Sequence, residues 1–139
     1  MSVLPCYNLK LRQADRVLTN YYDDALRETG ITVAQFSILR ALTYLQQPSQ
    51  KALQEVLVLQ QTTLTRNLKP LIRDGYISTV ASPEDKRVTL VSLTSSGKAL
   101  FKTAKRHWDR VQKQVEEHLG PDLTRQLLTL TDAVLQLRK

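Results

Sequence analysis

Residues 60–69, QQTTLTRNLK, place Gln60, Gln61, Thr62, Thr63, Thr65, Arg66 and Lys69 within ten positions and include no acid. Such side chains donate and accept hydrogen bonds and carry positive charge, which is the chemistry of reading base edges and holding phosphates. Arg pairs with guanine and Gln with adenine, so Arg66 and Gln61 are the expected base readers. Thr62, Thr63, Thr65 and Lys69 are the expected phosphate holders, and Gln60 opens the set. A second cationic group, Lys86 and Arg87, sits in SPEDKR between two runs rich in β-branched and aliphatic residues. At the tip of a hairpin these two reach past the protein's own surface. Arg87 suits a narrow minor groove, where negative potential is concentrated. Asp85 alone would repel DNA, so its expected task is to brace Arg87 or the turn. Each group also has a plainer reading: a polar helix face is commonly just solvated, and a charged hairpin tip is commonly inert.

Other chemistry finds little support. The two histidines, His107 and His118, lie eleven apart on one predicted helix without paired ligands, and there is one cysteine and no phosphate-binding glycine loop. An enzyme, a metal site and a cofactor are therefore not expected.

The elements that must position these residues can be read from periodicity. Residues 8–29 form an amphipathic helix with Leu11, Ala14, Leu18, Tyr21 and Ala25 on one side, stopped by Gly30. Thr32-Val33-Ala34-Gln35 is a capping box opening a second helix with Phe36, Leu39, Leu42 and Leu45 as its buried stripe. Ser49 caps a short third helix, about 50–57, with Ala52, Leu53 and Val56 facing inward. Gln60 to Asp74 is a fourth, with Leu64, Leu68, Leu71 and Ile72 apolar. Pro70 should bend or loosen it, because the ring crowds the Arg66 carbonyl and one backbone bond is lost. Residues 76–82 and 88–93 read as a hairpin. Thr94 caps a long helix to about Leu119, Gly120-Pro121 breaks it, and Leu123, Leu127, Leu130 and Val134 line a last one.

The chain has 139 residues, a net charge of +7 and 42% hydrophobic residues. This fits one domain, or one domain with appended helices, and favours an acidic partner. No apolar run approaches a membrane span, and a basic amphipathic helix of the membrane-surface kind is not evident. The N-terminus shows no signal peptide, and one cysteine excludes an internal disulfide. A cytoplasmic protein is expected. Three helices and a hairpin in this order make a winged helix-turn-helix, mainly α with a small β-hairpin wing.

Asp85-Lys86-Arg87 followed by Val91-Ser92-Leu93-Thr94-Ser95-Ser96-Gly97 resembles the D-x-R…V-x-L-T-x-x-G wing signature of the multiple-antibiotic-resistance regulator (MarR) family. Thr63–Lys69, with Leu71 and Asp74-Gly75, is similar to that family's recognition helix and following turn. The resemblance implies a homodimeric transcriptional regulator, usually a repressor, on a pseudo-palindromic duplex operator. Residues 1–30 and 95–139 would be dimerisation helices, and 31–94 the DNA-binding domain. The long apolar stripes of the terminal helices independently favour pairing. The resemblance further implies relief by a small phenolic or lipophilic ligand or by cysteine oxidation. Tyr21, Tyr22, Tyr44, His107 and Trp108 are the candidate pocket; their plainer and commoner reading is as core and interface aromatics. Cys6, at the positive end of the first helix, is a candidate redox site or an inert terminal thiol. The alternative reading is a winged-helix protein-interaction module that binds no duplex.

Overall fold

The computed structural model describes residues 5–139; the reading of a missing signal peptide rests partly on residues 1–4, outside the described residues. The elements follow in the order α1 (Tyr7–Leu26), a 3-10 turn (Arg27–Thr29), α2 (Val33–Leu45), α3 (Gln50–Leu57), α4 (Gln61–Arg73), β1 (Ile77–Ala81), β2 (Thr89–Leu93) and α5 (Ser95–Leu135). No helix among the described residues is long and apolar enough to cross a membrane.

Local signals set most of the boundaries. Both halves of the Thr32–Gln35 capping box form: the Gln35 amide donates to Thr32 Oγ1, and the Thr32 amide donates to Gln35 Oε1. Asp23 of α1 adds a third contact, accepting from the Val33 amide at 2.7 Å. A carboxylate there also suits the positive end of α2. Ser49 caps α3 by accepting from the Ala52 amide at 3.0 Å. The first helix tightens into the 3-10 turn at Arg27, shorter than the periodicity suggested, and Gly30 closes it with φ of 79°.

Pro70 does not interrupt α4, which continues helically to Arg73. The proline stands in the last turn, so only one intrahelical bond is missing, and the Asp74 amide still reaches the Pro70 carbonyl at 3.0 Å. The expected break at Gly120-Pro121 is present as a bend inside α5: Gly120 has φ 80° and ψ 166°, between helical segments 95–119 and 121–135.

The core gathers on α2. Phe36, Ile38, Leu39 and Leu42 pack with Leu26, Leu53, Leu64, Leu68, Leu71, Ile77, Val91 and Ala104. Phe36 stacks on Phe101 at 5.3 Å and on Trp108 at 5.6 Å, fastening α5 to α2; such pairs add about 0.5–1.5 kcal/mol each. In α2, α3 and α4 three residues expected in the apolar stripes, Leu45, Val56 and Ile72, are exposed, and in the terminal helices so are Leu11, Ala14, Tyr21, Leu123, Leu130 and Val134.

β1 and β2 pair antiparallel, Ile77 opposite Leu93 and Ala81 opposite Thr89. The segment before α3 joins the other edge of β2 through a Ser49–Leu90 bridge and a 2.9 Å bond from the Val91 amide to the Pro48 carbonyl. The wing therefore has three backbone segments at its base, which ties its direction to the start of α3.

Candidate nucleic-acid interface

Two leucines and a third at spacings of four and three, Leu64, Leu68 and Leu71, are buried and fix the rotation of α4. Gln61, Thr62, Thr65, Arg66 and Lys69 are thereby exposed together on its outer side. Gln60 is the N-cap residue and is exposed, with no side-chain cap of its own. Thr63 is half-buried and its carbonyl accepts from the Asn67 side chain at 3.1 Å, so it stands apart from the other six. Gln50, at the start of α3, donates to Thr65 Oγ1 at 3.3 Å. This residue was not singled out by the sequence pattern; it joins the two helices of the helix-turn-helix on the exposed side.

The turn between β1 and β2 is organised around Asp85. Its Oδ1 accepts from the Arg87 backbone amide at 3.0 Å and from Arg87 Nε at 3.1 Å, and its Oδ2 accepts from Arg87 Nη2 at 3.2 Å. The Arg87 side chain is 91% exposed. These hydrogen bonds, the side-chain one foremost, hold the Asp85 carboxyl below the usual carboxylate range. The guanidinium is thus aimed outward by a short local brace, and Lys86 is exposed beside it.

The rest of the wing signature has a packing explanation. Thr94 Oγ1 donates to the Gly75 carbonyl at 2.6 Å and accepts from the Gly97 amide at 3.0 Å, while the Thr94 amide donates to the Tyr76 carbonyl at 3.1 Å. A Cβ on Gly97 would lie 2.0 Å from that Tyr76 oxygen. T-x-x-G is therefore the place where the end of α4, the start of β1 and the start of α5 meet through backbone.

The aromatic candidates fall into two groups joined by one face of α5. Arg40, exposed on α2, lies over Trp108 at 5.1 Å and over Tyr44 at 5.6 Å. Tyr22 donates to Gln112, one turn beyond Trp108. Partial burial, with Glu116 as a smaller cause, raises the Tyr22 hydroxyl above its ordinary pKa. His107 is half-buried, and Tyr21 points to solvent. Arg40 is the member of this cluster that periodicity did not reveal, because a lone arginine on an amphipathic helix looks like solvated charge. Cys6 is exposed and is the N-cap residue of α1.

The MarR family signature matches residues 31–89, the stretch from α2 into the wing. The chain is 30% identical over 125 residues to the multiple antibiotic resistance protein MarR of Escherichia coli K12, covering 90% of this chain and 79% of that protein. It is 31% identical over 100 residues to the HTH-type transcriptional regulator YdgJ of Bacillus subtilis, whose length the match spans to 61%. The crystal structure of the M. tuberculosis transcriptional regulator MOSR in complex with DNA matches with a TM-score of 0.83 at 33% identity, covering 97% of this chain and 100% of that one. Fold and exposed surface together define a winged helix-turn-helix transcriptional regulator. The chain belongs to the MarR family.

Proposed function

We propose that two copies of this chain bind a pseudo-palindromic operator and repress transcription by occupying it. The observation that carries this reading is the acid-free exposed face of α4 beside an arginine braced at the wing tip. Arg66 and Gln61 read base edges in the major groove; Thr62, Thr65 and Lys69, with Gln60 and Thr63 at the margin, hold backbone. Lys86 and Arg87 reach phosphates or the adjoining minor groove. MOSR was crystallised with DNA, which supports a DNA partner for this chain too. Residues 31–94 form the DNA-binding unit, and 1–30 with 95–139 the pairing unit. Pairing is supported by the apolar side chains the single chain leaves wet: Leu9, Val17 and Tyr21 on α1, and Leu123, Leu128 and Leu130 beyond the bend in α5. The protein works in the cytoplasm, where its DNA is.

Release comes from a small phenolic or lipophilic ligand or from oxidation of Cys6. The ligand reading is supported by Arg40, which lies over Trp108 and Tyr44, with Tyr22 bonded to Gln112 one turn further along α5; a guanidinium beside aromatic rings suits an aromatic acid, and His107 and Tyr21 complete the proposed set. Selection of bound fragments from the source genome at physiological salt tests the core of the proposal. A recovered palindrome with half-sites about 34 Å apart is expected; the absence of any enriched sequence would overturn it. For the thiol, peroxide should release DNA from the parent and not from Cys6→Ser; equal release removes Cys6 from the mechanism.

A further inference from the structure

The net charge of +7 does not reside mainly in the winged unit. Residues 31–94 hold seven Lys or Arg against four acids, whereas residues 95–113, nineteen positions at the start of α5, hold six against one. Five of those six, Lys98, Lys102, Arg106, Arg110 and Lys113, recur at steps of four, four, four and three and so share one side of the helix. All five are exposed. None has a salt-bridge partner among the described residues, while the single acid, Asp109, is engaged by Lys105 at 2.9 Å. The line they form is about 22 Å long at 1.5 Å per residue. It lies opposite the side of α5 that buries Gly97, Ala104 and Val111 against the rest of the molecule.

We infer that this stripe is a second, sequence-independent duplex-binding surface, which grips the phosphate backbone of a DNA segment other than the one seated on α4. The first argument is charge complementarity. Duplex DNA offers one negative charge per about 1.7 Å of axis, a line of charge suited to a straight row of cations. Two further observations select the occupant. Among the described residues, no large apolar side chain between Val80 and Leu123 is exposed. A protein partner would lack the apolar anchors that carry most interface energy, and a membrane would lack the apolar face that an interfacial helix inserts. A second copy of the stripe would meet it with like charge, so stripe-on-stripe pairing is disfavoured. Geometry separates it from the operator site. α2 packs against both α4 and α5; Lys102, Arg106, Arg110 and Lys113 occupy the side of α5 turned away from that packing, and Lys98 borders a cavity beside Leu42 and Ser92.

The inference rests on the DNA-binding reading only for the identity of the first segment. The test uses full-length protein and the variant Lys102→Gln/Arg106→Gln/Arg110→Gln, with Lys98→Gln/Lys113→Gln as an independent second variant. Protein is loaded on an immobilised operator duplex, and capture of a labelled 40-bp non-operator duplex (about four helical turns) is followed from 50 to 200 mM salt. Both variants should melt like the parent and bind the operator with its affinity. The triple variant should capture the second duplex at least about tenfold more weakly. Its capture should show a log–log salt slope shallower by about 2.7, the value for three lost phosphate contacts. Parental capture by both variants, or no capture by the parent, overturns the inference. Loss of binding to phosphatidylserine vesicles with unchanged duplex capture would reassign the stripe to a membrane and also overturn it. If the parent prefers no duplex sequence, the operator reading fails instead; the stripe is then still read from the variants' loss of non-operator duplex binding in solution.

Discussion

Arg87 and Arg66 differ in what holds them, and their variants should differ accordingly. Arg87 is fixed by Asp85 at a turn that touches backbone in our reading, so Arg87→Ala should weaken binding to all duplexes alike and lower the salt slope by about 0.9. Arg66→Ala should weaken operator binding by about 1–3 kcal/mol and relax preference at one base pair. Titrations against an operator and its single-base variants distinguish the two; parental binding by either variant removes that residue from the site. Asp85 also makes a pH prediction. Its folded carboxyl lies below the ordinary value because Arg87 donates to it, so its contribution is complete above about pH 4 and fades as pH falls through the lower folded value. Asp74 behaves alike beside Arg73. In melts between pH 6 and 2, Asp85→Asn should lose part of the acid limb and retain the part that Asp74 supplies. Gly97→Ala is a packing test, because its new Cβ meets a backbone oxygen at 2.0 Å and not a yielding side chain. It should destabilise the fold by about 1–3 kcal/mol in urea titration.

Helix ends decide much at the next scale up. Thr32 and Asp23 converge on the start of α2, and Thr32→Ala should cost about 1 kcal/mol. Val58 sits between α3 and α4 with φ 54° and ψ 49°, a left-handed conformation that a β-branched residue adopts against steric resistance. Val58→Asn should therefore stabilise by about 1 kcal/mol, seen as a higher urea midpoint with an unchanged slope; a lower midpoint would mean that Val58 is held by contacts outweighing the strain. Caps, glycine stops and the hairpin were legible because their signals lie within four residues of the feature they cause. The Ser49–Leu90 bridge, the Asp23 cap on α2, the Gln50–Thr65 bond and the Arg40 sandwich were not, because each joins residues ten or more apart by sequence, or one lone polar side chain to a neighbouring element. Pro70 was read as a lost bond that bends or loosens α4; the helix continues to Arg73, since the rule for helix interiors weakens where one turn remains.

For the whole chain, the winged unit was legible because its parts come in a fixed order with chemistry concentrated on two of them. The distribution of charge was not, since a total of +7 says nothing of place until the rotation of α5 is known. Pairing can be tested where the single chain is already wet. Leu130 is 54% exposed, so Leu130→Glu should leave the chain folded while shifting sedimentation from dimer to monomer and abolishing operator binding. An unfolded variant would show that Leu130 supports the chain itself, and an unaltered dimer would place the contact elsewhere.

The bend at Gly120 combines a positive φ with an extended ψ, a region that essentially only glycine occupies. In the proposed dimer the final arm beyond this elbow helps fix how far apart the two reading heads stand. The residue is thus a caliper setting: exchanging it should change which gap between half-sites is accepted, and leave the letters within each half-site unaltered.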